Sequence, residues 1–348
     1  MGIMRQEKRV KVCFIIPDTA EDTATHFLHK HELIRELERD VEFAVCEPSF
    51  WGMAKIKFAY VFRGYRIFYV HYSFKGALFA IILTKLFGGK VFYWNCGMPW
   101  LYRRGWFEER LFRFILRQTI FVTGTETLAD EYAKRYGLDK KNIRVVPNYI
   151  QISRFQQISR GDARNELKLP PDKKIVLFLH RLSRRKGAHL LPEIIKEFQG
   201  QNDILFLIAG DGPERKDLEL LTTHYSLQTL TRFVGSVPNF RIPEYIVAAD
   251  VYVMPSEEEG MPNALLEAMA AGVPFVASDV GAVKEMTPSC MHEFVLTYGN
   301  VAMFAEKIKK LLRNEELRKK LAKEEQEWVC QFDVSIIAPQ FFEMIQKR

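Results

Sequence analysis

Glu259 and Glu267 stand eight positions apart in the stretch Asp250–Pro274, DVYVMPSEEEGMPNALLEAMAAGVP, and flank a predicted helix start. The backbone N–H groups of Ala264, Leu265 and Leu266 at such a start lack partners within the helix and point outward, which favours an anion such as a phosphate. A carboxylate is a poor phosphate ligand, but it accepts hydrogen bonds well from hydroxyls. Two carboxylates flanking an anion site suit a ligand that carries phosphates between two polyols, which is the build of a nucleotide-sugar. Any one of these glutamates read alone is better explained as a solvated loop or helix residue; the inference rests on the set.

The elements that must position these groups are legible around them. Val251 to Met254 is a short apolar run suited to a buried parallel strand, ended by Pro255 and Ser256. Asn263 is placed to cap a helix over Ala264 to Ala271, with Gly272 at its end and Pro274 just beyond. Strand, acidic loop and helix start then meet at the C-terminal edge of a parallel sheet, where open α/β folds bind ligands. Upstream, Lys174 to Leu179 reads as a strand running into His180–Gly187 and a helix. Ile204 to Ala209 reads as a strand before the tight turn Gly210-Asp211-Gly212-Pro213. That turn is not a Walker A loop, because no Gly-Lys-Ser/Thr follows.

With Gly260 after the first glutamate and EAMAAGVP closing the helix, this stretch resembles the signature of glycosyltransferase family 4, and the resemblance is strongest from about Lys174 to Glu285. The family consists of retaining, metal-independent enzymes of GT-B fold. The resemblance implies an α/β chain of two Rossmann-like doubly wound domains facing each other across a cleft. It implies that Arg181 and Lys186, in an R-x₄-K-G element, bind the donor diphosphate: arginine clamps two oxygens and lysine adds a point charge as the nucleotide departs. Glu259 would orient the hexose and Glu267 would hold ribose hydroxyls. Gly210, Val234, Gly235, Gly260, Met261, Asn263, Ala264 and Leu265 would complete the donor site, with Glu259, Arg181 and Lys186 as the catalytic set. The co-substrate implied is a UDP-sugar first and a GDP-sugar second, with no cofactor and no metal; no Asp-x-Asp triplet occurs.

On the acceptor side the chain departs from the family pattern. The usual glycine pair after the first strand is replaced by Glu21 to His26, so Thr23 or His26 would act there instead. Where the family often has a strand-end histidine, this chain has Asn95 or Cys96, and His71 at the preceding strand end is the nearest substitute. His26, His29 and His31 read as a solvated helix face, since no acidic partner set accompanies them.

Length and charge narrow the rest. A chain of 348 residues suits two domains, expected over 1–155 and 165–332 with a linker at about 150–170 and a last helix from 333, broken near Pro339, that returns to the first domain. Five scattered cysteines and a charged start argue for a reducing, cytoplasmic setting, and no apolar run is long enough to span a bilayer. Residues 50–117 hold 12 basic and two acidic residues, interleaved with aromatics. That composition fits a protein lying on an anionic membrane surface, with Trp100, Arg103, Arg104, Trp106, Arg110 and Arg113 as contacts. Nucleic acid ranks lower because no nucleic-acid module accompanies the charge. The expected partners are a nucleotide-sugar donor and a lipid-linked or glycan acceptor at the cytosolic face of a membrane. The alternatives are a transferase acting on a free sugar or small molecule, an epimerase or phosphorylase of the same fold, and a non-catalytic scaffold.

Overall fold

The computed structural model describes residues 9–16 and 28–347. They form two compact units, one running to Pro147 and resuming at Val334, the other spanning Asn148–Asp333. The division falls at Pro147, and the short helices Ser153–Gln156 and Arg160–Glu166, where a linker was expected, belong to the second unit. Buried Phe155 and Ala163 tie them to its core, and Asp250 anchors the second helix by accepting from Arg164 at 2.8 Å and Arg160 at 3.2 Å.

The first unit is built on the parallel sheet β1 (Val10–Ile15), β2 (Val41–Cys46), β3 (Ile67–His71), β4 (Lys90–Trp94), β5 (Ile120–Thr123) and β6 (Ile143–Val145), in the order β2-β1-β3-β4-β5-β6. Its strands are almost wholly apolar, as strands covered on both faces must be. Its helices are α1 (Leu28–Glu36), α2 (Phe50–Arg63), α3 (Phe74–Phe87), α4 (Trp106–Gln118) and α5 (Glu126–Tyr136). The helix α2 was not anticipated from the sequence, although Ser49 caps it by accepting from the Gly52 N–H and Gly64 ends it in the left-handed region. The final helix, Val334–Gln346, runs unbroken through Pro339. A buried stripe that includes Ile337, Phe341 and Ile345 holds it to the unit, and the Phe341 ring lies 4.9 Å from Tyr69 and 6.4 Å from Phe14, contacts that outweigh the one hydrogen bond a proline removes.

The second unit repeats the plan with β7 (Lys174–Leu179), β8 (Ile204–Ala209), β9 (Thr231–Gly235), β10 (Val251–Met254), β11 (Phe275–Ser278) and β12 (Val295–Leu296), all parallel, in the order β12-β11-β10-β7-β8-β9. From β7 the chain works outward through β8 and β9. It then returns to β10 on the other side of β7 and works outward again. Adjacent β7 and β10 therefore send their following loops in opposite directions, which opens a crevice at their carboxyl ends.

Candidate functional site

The loops after β7 and β10 meet at that crevice. After β7 the backbone makes two short 3₁₀ turns, Arg184–Lys186 and Ala188–Leu190, before the expected helix begins at Leu191. Gly187 breaks the run: it sits at φ 70°, and a Cβ there would lie 1.8 Å from the Pro255 carbonyl oxygen. Only glycine permits so close an approach of the two loops. The approach delivers Lys186, whose Nζ donates to Glu259 Oε1 at 2.7 Å.

Glu259 is 7% exposed, and Ser256 Oγ also donates to its Oε1, at 2.8 Å. The His180 Nε2 lies 3.7 Å from the same oxygen, and none of these contacts uses Oε2. Burial alone would raise the Glu259 carboxyl. The charge of Lys186, the nearby His180 and the two hydrogen bonds outweigh it, and the group is held below the ordinary carboxylate range. Behind the loop, Gly281 at φ 57° would place a Cβ 2.0 Å from the Glu259 carbonyl oxygen, and the Ala282 N–H donates to Gly260 at 2.9 Å. The acidic loop is therefore held between the segments that follow β7 and β11.

Glu267, half-buried, belongs to the same neighbourhood. The buried Tyr252 phenol is pushed well above its ordinary value, first by burial and then by the negative charges of Glu267 and Glu259. Tyr252 is fixed between β7 and β10 by donating to the Leu179 carbonyl at 3.2 Å.

The helix itself begins at Asn263, with Pro262 in the cap position and no side-chain cap, so Asn263 is not the cap it was expected to be. Proline suits a helix start because it has no N–H to leave unpaired. Asn263 thereby enters the first turn, where its Oδ1 is buried without a hydrogen-bond partner. The Leu265 N–H is also not free, since it donates to Pro262 at 3.2 Å. The loop ahead of the helix is braced by Asn148, whose Nδ2 donates to the Met261 carbonyl at 2.7 Å. Nearby, the Gly210 N–H donates to the Gly235 carbonyl at 2.7 Å and joins the ends of β8 and β9 beside Val234. Arg181 is exposed and is not among the groups that contact Glu259. Among the described residues, no three His, Cys, Asp or Glu side chains gather as metal ligands.

The family model for glycosyl transferases group 1 matches residues 159–328, which contain this whole crevice. Those residues resemble a glycosyltransferase group 1 domain. The chain is 34% identical over 176 residues to TuaC of Bacillus subtilis, a glycosyltransferase named for teichuronic acid biosynthesis, covering 50% of this chain and 42% of that protein. It is 30% identical over 171 residues to the phosphatidylinositol N-acetylglucosaminyltransferase gpi3 subunit of Schizosaccharomyces pombe, covering 49% of this chain and 36% of that one. The chain thus spans less than half the length of either relative. The crystal structure of Anabaena Alr3699/HepE in complex with UDP matches with a TM-score of 0.79 and 18% identity, over 96% of this chain and 99% of that chain. The chain has the two-domain, Rossmann-like GT-B fold.

Outside the matched residues 159–328, the residues expected on the acceptor side diverge. Thr23 and His26 lie outside the described residues. His71 is fully buried, its ring packed 4.7 Å from Trp94, 5.0 Å from Tyr69 and 5.2 Å from Phe14, so it is part of the core rather than an accessible strand end. Asn95 is buried and accepts from the Gly97 N–H at 2.8 Å. The Cys96 thiol is pushed up to about 12, chiefly by burial. Sequence reasoning missed Lys30, which is 1% exposed with its Nζ 4.2 Å above the Trp94 ring. Burial lowers its amine to about 7, against the opposing pull of Cys96. A lone lysine in a helix gives no sequence signal of burial.

Of the residues expected on a membrane, Arg103, Trp106 and Arg110 are exposed. Trp100 instead packs on Tyr132 at 5.2 Å, and Arg104 lies 4.1 Å above the Phe112 ring with 12% of its side chain exposed. Arg113 is half-buried and pairs with Glu109 at 2.9 Å. Arg104 and Trp100 turn inward onto aromatic partners within the unit, whereas Arg113 keeps 42% of its side chain exposed.

Proposed function

We propose that this chain is a retaining glycosyltransferase that moves a hexose or N-acetylhexosamine from a UDP-sugar to a lipid-linked acceptor without a metal. The Lys186–Glu259 pair in the crevice between β7 and β10, beside the start of helix Asn263–Ala270, carries the reading. Lys186 keeps two further N–H donors for a diphosphate, and Glu259 Oε2 is the oxygen for a hexose hydroxyl. The free amides at the helix start add to the charge that stabilises the leaving nucleotide. Arg181 reaches the diphosphate from the rim, and Glu267 takes the ribose hydroxyls.

Uridine is the favoured base because the Alr3699/HepE chain was solved with UDP. A lipid-linked acceptor is favoured by the gpi3 relative, whose name gives phosphatidylinositol as its substrate, and by the basic-aromatic character of residues 50–117. The acceptor would meet the first unit, and the reaction would run at the cytosolic face of a membrane. The test is thermal stabilisation by UDP, GDP and ADP in the presence of a chelator, followed by the anomeric configuration of the product by NMR. Stabilisation by UDP that disappears in Lys186→Ala, with retained configuration, is expected. No response to any nucleotide would remove the donor assignment.

A further inference from the structure

Three consecutive helices of the first unit leave their outer faces bare. Among the described residues, fourteen of the nineteen exposed large hydrophobic side chains fall between Phe50 and Phe114. On α2, Trp51, Phe58 and Phe62 recur at helical spacing and are 75%, 57% and 74% exposed. The α3 helix adds Ile82, Leu86 and Phe87, and the Phe87 ring lies 6.1 Å from Tyr60 of α2, so the two patches adjoin. The next helix, α4, packs beside α3 through Phe74 and Phe112, 5.6 Å apart, and presents Phe107, Arg110, Phe114 and Arg117 along one side. Monomeric soluble proteins rarely leave so continuous an apolar surface uncovered.

The charge around this surface is predominantly positive, with Glu108 the one exposed acid on α4. Lys55, Lys57, Arg63, Lys85, Arg110 and Arg117 are exposed among the aromatics. Of the two acidic residues between 50 and 117, Glu109 is engaged by Arg104 and Arg113. A second copy of the chain is a poor occupant, since a self-complementary contact sets positive charge against positive charge. An anionic bilayer answers both features. Its phosphates neutralise the lysines and arginines, and its headgroup boundary accepts aromatic rings.

We propose that the outer faces of α2, α3 and α4 form a docking surface for an anionic lipid bilayer. The aromatic side chains of α2 and α3 enter the headgroup boundary and the surrounding basic residues hold lipid phosphates. The helices lie along the surface; among the described residues no helix is long and apolar enough to cross a membrane. The inference deepens the lipid-linked reading of the acceptor and rests on it for its purpose.

The test is co-sedimentation of the full chain with vesicles of phosphatidylcholine mixed with phosphatidylglycerol, and of phosphatidylcholine alone, at low and high salt. One variant combines Trp51→Ser, Phe62→Ser and Leu86→Ser; another combines Lys55→Glu, Lys57→Glu and Arg110→Glu. The unaltered chain is expected to bind the mixed vesicles and to release with salt, and each variant to lose at least about tenfold in binding. The melting temperature and its response to UDP report that both variants still fold. Equal binding to phosphatidylcholine alone, or variants that bind like the unaltered chain, would overturn the proposal. So would a dimer that the serine variant dissolves in a chain that binds no vesicles. An unaltered chain that binds no vesicles but is stabilised by UDP sinks the docking surface alone, whereas one that binds the mixed vesicles but does not respond to UDP sinks the donor assignment alone.

Discussion

In the second unit four large hydrophobic side chains are exposed, Leu220, Leu221, Phe240 and Trp328, against the fourteen gathered between Phe50 and Phe114 of the first. Charge divides in the same way. Residues 1–155 carry 25 basic and 16 acidic residues, and the remainder 25 and 27. Both units use a six-stranded parallel sheet, so the fold class does not cause the difference. What differs is where polar and apolar groups are placed. The second unit pairs Asp250 and Glu259 with basic residues beside strand ends, and buries Glu325 within a helix. The first buries a histidine and a lysine among aromatics and turns other aromatics outward. One architecture thus accommodates a crevice built by loops in one unit and bare apolar helix faces in the other.

The comparison is tested most severely at Asp250. It is 4% exposed, and besides the two arginines it accepts from the Ile175 N–H at 2.7 Å. Asp250→Ala leaves Arg164 without its charge partner, and a loss of about 3–5 kcal/mol in unfolding free energy is expected by denaturant titration. A loss under 1 kcal/mol would mean that buried charge does not hold the second unit together.

Next comes the crevice. Lys186→Ala is expected to lower kcat/KM for a UDP-sugar by about 10²–10³-fold, the effect of removing one group that stabilises developing charge. It also strands Glu259. That carboxyl, held below its ordinary value, contributes stability present above the unfolded pKa and lost as pH falls through the folded one. The variant should therefore show a weaker loss of stability on acidification, read as melting temperature against pH.

Glu325 sharpens the comparison from the opposite side. It is fully buried in the helix Glu315–Val329, both carboxyl oxygens lack partners, and burial raises it well above the ordinary range. A raised carboxyl stabilises fully below the unfolded pKa and loses that contribution as pH rises through the folded value. Glu325→Gln removes the ionisation, so its melting temperature should exceed that of the unaltered chain at neutral and higher pH, by about 1–2 kcal/mol in stability, and match it in acid. An unchanged pH profile would show that Glu325 is not buried in solution.

The smallest effect belongs to the bare helices. Phe62→Ser is expected to change stability by less than about 0.5 kcal/mol, because an exposed ring buries little. Phe112→Ala, in the core beneath α3 and α4, should cost about 3–5 kcal/mol. Similar losses in the two variants would erase the distinction between packed and presented aromatics.

Much of this molecule is written locally. Apolar runs marked most of the strands. Thr125 and Gly137, the two ends of α5, cap it as such residues do, and the Glu259–Glu267 stretch showed its strand, loop and helix in order. The helix α2 had the same kind of caps in Ser49 and Gly64, but its alternating basic and aromatic residues hid the helical period. Pro339 failed as a helix breaker, and Asn263 as a cap, because tertiary packing and the preceding proline prevailed over single-residue preference.

By itself, then, the sequence determined the residue types, most of the strand and helix segments and the uneven charge, since each depends largely on neighbours a few positions away. It did not determine that Lys186 and Glu259, 73 residues apart, share a proton donor and acceptor. Nor did it determine that His71 and Lys30 are buried while Trp51 and Phe62 face outward. Those outcomes follow from the order of strands in each sheet and from which face of each helix the sheet covers, and only the folded chain sets both.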